Sequence, residues 1–163
     1  MLDISHALKN PGRIYPLDVE VQLPEMEIMG EVISFENGRI KGELLGTGES
    51  VSVKGTVSAD VIAHCARCLA AVRTPLETQV KETFVRPEKA GADSDAYPIV
   101  GTEIELEDLA KDALVLDLPM RFLCSEDCKG LCPKCGANRN ERSCKCQEGE
   151  DNPFAAIRDL FSK

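Results

Sequence analysis

Cysteine is the residue type that most constrains this chain, because eight cysteines stand in tight groups within 163 residues. Six of them lie between Cys124 and Cys146, and the other two form the motif Cys65-Ala66-Arg67-Cys68. Closely spaced cysteines bind metal ions in reducing compartments and form disulfides in oxidising ones. The cellular compartment therefore decides how the cysteines are interpreted.

The N-terminal sequence argues for a reducing compartment. The first ten residues contain an acid, Asp3, and lack the apolar stretch of a secretory signal, and no apolar run approaches the ~18 residues of a membrane span. We therefore expect a cytoplasmic protein with no membrane partner. In that compartment zinc is the first hypothesis for the cysteines and a disulfide staple is the second. Thiolates at this spacing also accept iron, and zinc is favoured only as the commoner structural ion.

The cysteine spacing predicts two four-sulfur zinc sites per chain. A CxxC motif at Cys132 is followed by a CxC motif after eight intervening residues, so these four sulfurs can surround one ion at little cost in loop closure. The favoured arrangement has two sets: Cys132, Cys135, Cys144 and Cys146, and Cys65, Cys68, Cys124 and Cys128. An alternative arrangement exchanges pairs between the sets: Cys65, Cys68, Cys132 and Cys135, and Cys124, Cys128, Cys144 and Cys146.

The CxxC motif at Cys65 and Cys68 also has other interpretations. Cys65 and Cys68 could form a redox dithiol, but thioredoxin-like chemistry places CxxC at a helix N-terminus after a strand, whereas strands are predicted on both sides here. His64 could replace a thiolate as ligand, although such a residue is more often a surface group. Arg67 could contact RNA or offset the charge of the thiolates. The favoured interpretation remains a structural metal site.

Charge is distributed unevenly along the chain, whose formal net charge is −9. Residues 118–146 contain six basic and three acidic residues, whereas residues 87–117 contain two basic and nine acidic ones. Phosphates are repelled by an acidic protein outside any local basic patch, so an RNA contact should be small. The candidate RNA contacts lie in or beside the cysteine motifs: Arg67, Arg121, Lys129, Lys134, Arg139, Arg142 and Lys145.

Hydrophobic patterning predicts the fold class. Alternating apolar and polar residues indicate strands over 15–23, 28–35, 39–45, 51–62 and 72–85. The pair Asn37-Gly38 is typical of a tight hairpin turn, and Pro75 indicates an edge or a bulge. Apolar residues at helical spacing predict a helix over 105–116. The expected class is α+β: an antiparallel sheet or small partly closed barrel with one packed amphipathic helix.

The same patterns divide the chain into three parts. Residues 1–118 should form the sheet and helix core, with a mobile loop at 87–101 that is poor in large apolar side chains. Residues 119–150 form a cysteine-rich zinc-binding segment. Residues 151–163 are predicted to form a short C-terminal helix, capped by Asn152-Pro153 and apolar at helical spacing.

Few residues are available for catalysis, since the chain has two histidines and no tryptophan. A hydrolytic zinc site keeps three protein ligands and one open position, whereas two complete four-cysteine sets leave no position open. We therefore expect no enzymatic activity and no small-molecule substrate.

Several motifs together point to a family. They are the run CKGLCPKCG at 128–136, the motif Cys65-Ala66-Arg67-Cys68-Leu69, the segment Leu116-Asp117-Leu118-Pro119, Asn138 and the final Asn152-Pro153-Phe154. This combination resembles the YceD-like family, known as large ribosomal RNA subunit accumulation proteins. That family typically shows Asn-Leu-Asn where this chain has Asn138-Arg139-Asn140, and often Asp-Pro-Arg where it has Asn152-Pro153-Phe154. Neither change touches a candidate ligand.

The resemblance implies a cytoplasmic role in accumulation of the large-subunit (23S) ribosomal RNA and in ribosome assembly, and it implies no catalytic residues. We expect a non-enzymatic zinc-binding adaptor whose partner is that RNA or a basic ribosomal protein of the large subunit. The acidic segment 87–117 would attract such a protein in a salt-dependent manner. Two alternatives stay open: a zinc-ribbon nucleic-acid-binding regulator and a thiol-based redox sensor.

Overall fold

The computed structural model describes residues 1–28, 30–88 and 96–146. Eight strands and two helices follow one another in these ranges: β1 (Leu2–Asp3), α1 (Ser5–Lys9), β2 (Ile14–Glu20), β3 (Met26–Ile28), β4 (Glu31–Gly46), β5 (Ser50–His64), β6 (Ala71–Val85), β7 (Tyr97–Val100), β8 (Glu103–Ile104) and α2 (Leu106–Asp117).

Three long antiparallel strands, β4, β5 and β6, form the centre of one sheet. The strand order is β1-β8-β7-β6-β5-β4-β2, and β3 adds to β4 beside this path. β7 runs parallel to β6 and pairs with it only at Phe84 and Val85. Pro75 therefore lies where β6 has β5 on one side and no paired strand among the described residues on the other, in agreement with the predicted edge position.

The core lies on one face of this sheet. Alternate residues of β5 are completely buried, among them Val51, Val53 and Val57. Helix α2 covers the end of the sheet formed by β5 and β6 and buries four apolar side chains: Leu106, Leu109, Ala110 and Leu114. At the centre of the sheet Gly42 pairs with Gly55, and a Cβ on either glycine would lie 2.2 Å from a backbone oxygen of the other strand. Only glycine permits this close approach of two backbones.

The predicted α+β class is wrong, because the fold is mainly β. Strands β4, β5 and β6 contain 16, 15 and 15 residues, whereas the two helices contain 5 and 12. The long strands curl into a half-barrel, and helix α2 packs against β5 and β6. The antiparallel strands and the helix predicted over 105–116 are present. The C-terminal helix predicted over 151–163 lies outside the described residues.

The hairpin predicted at Asn37-Gly38 is also wrong, because β4 runs through this pair without turning. Glu36 pairs with Asp60 and Arg39 pairs with Ser58, so two residues of β4 face one residue of β5 in a β-bulge. Asn37 takes the left-handed conformation, with φ of 55°. A Cβ on Gly38 would lie 2.5 Å from the carbonyl oxygen of Val21. The Asn-Gly pair therefore serves a bulge and a close backbone approach.

The loop predicted over 87–101 covers too much of the chain, since residues 97–100 form β7. Ile99 is 2% exposed, and the ring of Tyr97 lies 5.3 Å from that of Phe84. These two contacts add to the pairing of β7 with β6 and β8 in holding this short strand on the sheet. Residues 89–95 of the predicted loop lie outside the described residues. The division of the chain at residues 118 and 150 stays a prediction.

Candidate metal centres

The first CxxC motif forms the turn between β5 and β6. The Cys65 N–H donates to the carbonyl oxygen of Ala70 at 2.8 Å, and the Leu69 N–H donates to that of Cys65 at 2.9 Å. Leu69 takes the left-handed conformation, with φ of 59°. These bonds close the hairpin tightly enough to direct both sulfurs to the same side, at the end of the sheet.

The segment after α2 carries Cys124 and Cys128 to this hairpin. Phe122 anchors the segment, because its side chain is buried in the main core and its carbonyl oxygen accepts the Ala66 N–H at 2.9 Å. Arg67 holds the other end, since its Nη1 donates to the carbonyl oxygens of Glu126 and Cys128, both at 2.9 Å. The chain thus brings together sulfurs that are more than fifty residues apart in sequence.

The four sulfurs of this first group have the spacing of a tetrahedral metal site. Cys65 Sγ lies 3.8 Å from Cys128 Sγ, and Cys68 Sγ lies 3.6 Å from Cys124 Sγ. All four lie within 4.8 Å of one another. A tetrahedron of sulfurs at ~2.3 Å from a zinc ion has edges of about 3.8 Å, whereas a disulfide bond is about 2.05 Å long. The donor set and the distances fit a tetrathiolate ion, and all the cysteines are free thiols.

The second group forms around the CxxC motif at Cys132, which we call the second knuckle. Its members are Cys132, Cys135, Cys144 and Cys146. Its sulfurs also lie within 4.8 Å of one another. The Cys132 N–H donates to the carbonyl oxygen of Ala137, and the Gly136 N–H donates to that of Cys132, both at 2.8 Å. Gly136 has a φ of 69°, which glycine adopts without strain. The eight sulfurs therefore group as loop closure favours, and the exchanged arrangement does not occur.

Backbone amides lower the pKa of thiols in both groups. The Cys124 amide hydrogen bond lowers the pKa of Cys65 to about 6 despite its burial. The amides of Cys135 and Lys134 lower the pKa of Cys132 to about 6. Neighbouring sulfurs have the opposite effect, since Cys128 raises the pKa of Cys124 to about 12. In the same way, Cys135 and Cys132 raise the pKa of Cys146 to about 12. A divalent cation at the centre of each group would offset this repulsion.

Comparison with known proteins gives the family. The family of the large ribosomal RNA subunit accumulation protein YceD matches residues 53–161, a range that contains both cysteine groups. The chain belongs to the YceD family.

The relatives of this YceD-family protein include bacterial proteins and a chloroplastic plant protein. An uncharacterised protein of Mycobacterium tuberculosis is 33% identical over 142 residues, which cover 83% of this chain and 68% of the relative. YlbN of Bacillus subtilis is 26% identical over 157 residues, 94% of this chain and 91% of the relative. The chloroplastic YCED homolog 1 of Arabidopsis thaliana is 34% identical over 65 residues, 39% of this chain and 20% of the relative. No solved structure matches significantly.

The candidate RNA contacts of the YceD-family protein lie in or beside its cysteine motifs. Five of the candidate RNA contacts are exposed: Arg121, Lys129, Lys134, Arg142 and Lys145. Arg139 is half-buried. The guanidinium of Arg67 already binds two carbonyl oxygens, so its main role in the structure is to hold the first group together. A contact between any of these residues and RNA stays a prediction.

Sequence reasoning missed Asn140 as a neighbour of the sulfurs. Its side-chain amide donates to Cys128 Sγ at 3.3 Å, and its side-chain oxygen accepts the Lys129 N–H at 2.8 Å. The sequence signal for it is the pair of asparagines at 138 and 140, which stands between ligands of the second group. His64, in contrast, is exposed and belongs to neither group, and its backbone N–H donates to Glu31 Oε1.

Among the described residues, no helix combines the length and the apolar character that crossing a bilayer requires.

Proposed function

We propose that this YceD-family protein is a non-enzymatic zinc-binding adaptor that supports accumulation of the large-subunit ribosomal RNA and assembly of that subunit in the cytoplasm. The observation that carries the proposal is the pair of complete four-sulfur groups within the region shared with the YceD family. The names of the family and of its plant relatives refer to large ribosomal RNA subunit accumulation.

Zinc is the metal that the donor sets support best. Structural zinc sites are closed tetrahedra of cysteine thiolates, often carried on CxxC knuckles, and each group here supplies four thiols at tetrahedral spacing. Cys65, Cys68 and Cys128 are buried, so an ion bound by them is shielded from exchange with solvent. Zinc bound there would cross-link the hairpin of the sheet to the segment that follows α2.

The same geometry favours an adaptor over an enzyme. Four protein ligands leave no coordination position for water or substrate at either site. The two histidines lie outside both groups, His6 in α1 and His64 at the end of β5. The contribution of the metal would therefore be to shape a surface.

Exposed basic residues lie on the side of the cysteine groups, where they would also offset the net negative charge of a zinc ion bound by four thiolates. Exposed lysines and arginines around the two sites would contact RNA phosphates, and the small size of the patch would limit the contact to a few phosphates. A separate acidic surface is formed by the exposed face of α2, where Asp108, Asp112 and Asp117 lie and Lys111 offsets part of their charge. This face would attract a basic ribosomal protein of the large subunit, and salt would weaken the attraction.

Affinity purification tests this proposal. The tagged full-length protein should recover large-subunit RNA in excess over small-subunit RNA at low salt, and less of it at high salt. Charge reversal at Lys129, Lys134 and Arg142 should abolish recovery of the RNA. As a matched control, charge reversal at three lysines on the sheet, Lys41, Lys54 and Lys81, should leave it intact.

Three results would overturn the proposal. They are recovery of neither large-subunit RNA nor a ribosomal protein, absence of bound metal in protein purified without chelator, and preferential binding of duplex DNA at physiological salt. The last result would identify a zinc-ribbon regulator. Thiols that react readily without loss of metal would identify a redox sensor.

A further inference from the structure

The two cysteine groups are joined by a short and well-anchored link. Only residues 129–131 separate Cys128, the last ligand of the first group, from Cys132, the first ligand of the second. The Leu131 N–H donates to the carbonyl oxygen of Arg67, and the Arg139 N–H donates to that of Gly130, both at 2.9 Å. The link is therefore held by the hairpin on one side and by the second knuckle on the other.

Asn140 adds a side-chain connection between the groups. It lies in the loop between Cys135 and Cys144, which both belong to the second group. Its side-chain nitrogen nevertheless donates to Cys128 Sγ of the first group, at 3.3 Å. Its side-chain oxygen accepts the Lys129 N–H at 2.8 Å, which fixes the orientation of the amide. Asn140 thus lies between two ligands of the second group in sequence and bonds to a ligand of the first.

Local hydrogen bonds hold Asn140 in this position. Asn138 Oδ1 accepts the backbone N–H of Asn140 at 3.1 Å and its side-chain Nδ2 at 2.9 Å. Asn138 Nδ2 in turn donates to Glu141 Oε1 at 2.7 Å. These bonds belong to a loop whose two ends are Cys135 and Cys144, so the metal at the second site would close the loop.

The second knuckle has almost no apolar core of its own. Within residues 132–146, only Cys132 and Ala137 are buried. Segments with so little buried apolar surface depend on their metal for folding. Loss of the second ion would therefore release the loop and withdraw Asn140 from Cys128.

We propose that the two sites bind and release zinc as a coupled pair, with Asn140 as the positioning residue that connects them. This inference rests on the zinc binding included in the proposed function. A hydrogen bond to a ligand sulfur stabilises its charge, and loss of such a partner typically weakens metal binding about 10- to 100-fold. Because coupling between binding sites is reciprocal, occupation of the first site strengthens the second by the same factor.

Competition between the full-length protein and a chromophoric zinc chelator tests the coupling. The wild-type chain should release both ions over one range of chelator concentration. In Cys144→Ser/Cys146→Ser, which retains only the first site, zinc affinity at that site should fall about 10- to 100-fold. Asn140→Ala should weaken the first site similarly, and adding it to the double cysteine variant should cause no further loss, because the contact is already absent.

Two further variants separate the sulfur bond from general damage to the loop. Asn140→Asp retains an oxygen for the Lys129 N–H but loses the donor to Cys128, and it should behave like Asn140→Ala. Ser143→Ala changes an exposed residue of the same loop and should bind like the wild type. Wild-type affinity in Asn140→Asp would overturn the role of Asn140.

Cadmium NMR supplies a measurement that does not depend on affinity. The cadmium-loaded wild type should give two resonances, and the one that persists in Cys144→Ser/Cys146→Ser belongs to the first site. In a chain with all eight cysteines, Asn140→Asp should shift that resonance. Unchanged affinity of the first site in that double variant would overturn the coupling and leave the adaptor proposal standing. Absence of zinc binding in the wild type would overturn both.

Discussion

Leu131 and Arg67 are joined by a backbone hydrogen bond of 2.9 Å, which ties the link between the two cysteine groups to the hairpin at the end of the sheet. The bond depends on Gly130. This glycine has a φ of 69°, and a Cβ on it would lie 2.9 Å from the same carbonyl oxygen of Arg67.

Gly130→Ala should therefore destabilise the metal-binding segment by about 2–5 kcal/mol, the sum of left-handed strain and the displacement of Arg67. Gly136→Ala is the matched control, because Gly136 has the same φ of 69° and open space around it. It should cost only about 1–2 kcal/mol. Urea-induced release of metal measures both variants, and equal midpoints would contradict the close approach at Gly130.

Removal of metal should leave the sheet folded. The main apolar cluster and the cluster around Cys65, Cys68 and Cys128 are separate, and the first contains the strands and α2. After chelation we expect the strand signal in far-ultraviolet circular dichroism to persist, while protease cleavage appears within residues 119–146. Readdition of zinc should restore protection. Loss of the strand signal together with the metal would show that the sheet also depends on it.

Two leucines of α2 provide a test of the packing of this helix. Leu114 is completely buried, whereas Leu116 is 86% exposed. Leu114→Ala should lower the free energy of unfolding by about 2–5 kcal/mol, because it leaves a cavity against the sheet. Leu116→Ala should change it by less than about 0.5 kcal/mol. Urea unfolding followed by circular dichroism measures both, and similar losses would mean that α2 packs through another face.

Salt dependence should distinguish a small RNA contact from a broad one. Each phosphate contact adds about 0.7–0.9 to the slope of log affinity against log salt concentration. Lys129→Ala should lower the slope by about one contact, since Lys129 is exposed beside both cysteine groups. Lys54→Ala, on the sheet, should leave the slope unchanged. Fluorescence anisotropy with large-subunit RNA fragments measures the slopes, and equal slopes for both variants would place the RNA elsewhere.

Tyr97 should make stability depend on pH in the alkaline range. Burial and the hydrogen bond to Asp112 raise the pKa of Tyr97 from 10.0 to about 12. Because the folded protein holds this proton more tightly than the unfolded chain, the stabilisation is complete below pH 10 and is lost as the pH rises to about 12. Tyrosinate absorption should show a transition near 12 that disappears in Tyr97→Phe and remains in Tyr15→Phe. Its persistence in Tyr97→Phe would contradict the assignment.

The sequence predicted the cysteine groups better than the strands that carry them. Cys132, Cys135, Cys144 and Cys146 lie close together along the chain, so loop closure alone favours their grouping, and the other four cysteines follow by elimination. The pair Asn37-Gly38 was different, because the left-handed conformation it supplies fits a bulge as well as a hairpin. The choice between the two depended on the pairing of β4 with β5, which no local pattern contains.

Contacts between distant segments were also beyond prediction. Strand β7 has four residues and is held by the packing of Ile99 and the ring contact between Tyr97 and Phe84, neither of which leaves a periodic signal. The same applies to the bond from Asn140 to Cys128, because its existence depends on how the second knuckle folds back on the first.

Among the described residues, no strand pairs with the edge of β6 around Pro75, and this has a consequence for how the protein behaves at high concentration. An edge strand presents backbone groups to which another chain can add, and such additions lead to aggregates. Pro75 has no N–H to donate, and the charged side chains of Arg73, Glu77 and Lys81 are exposed along the same strand. The missing donor and the row of charges therefore disfavour addition of a second chain to this edge during folding.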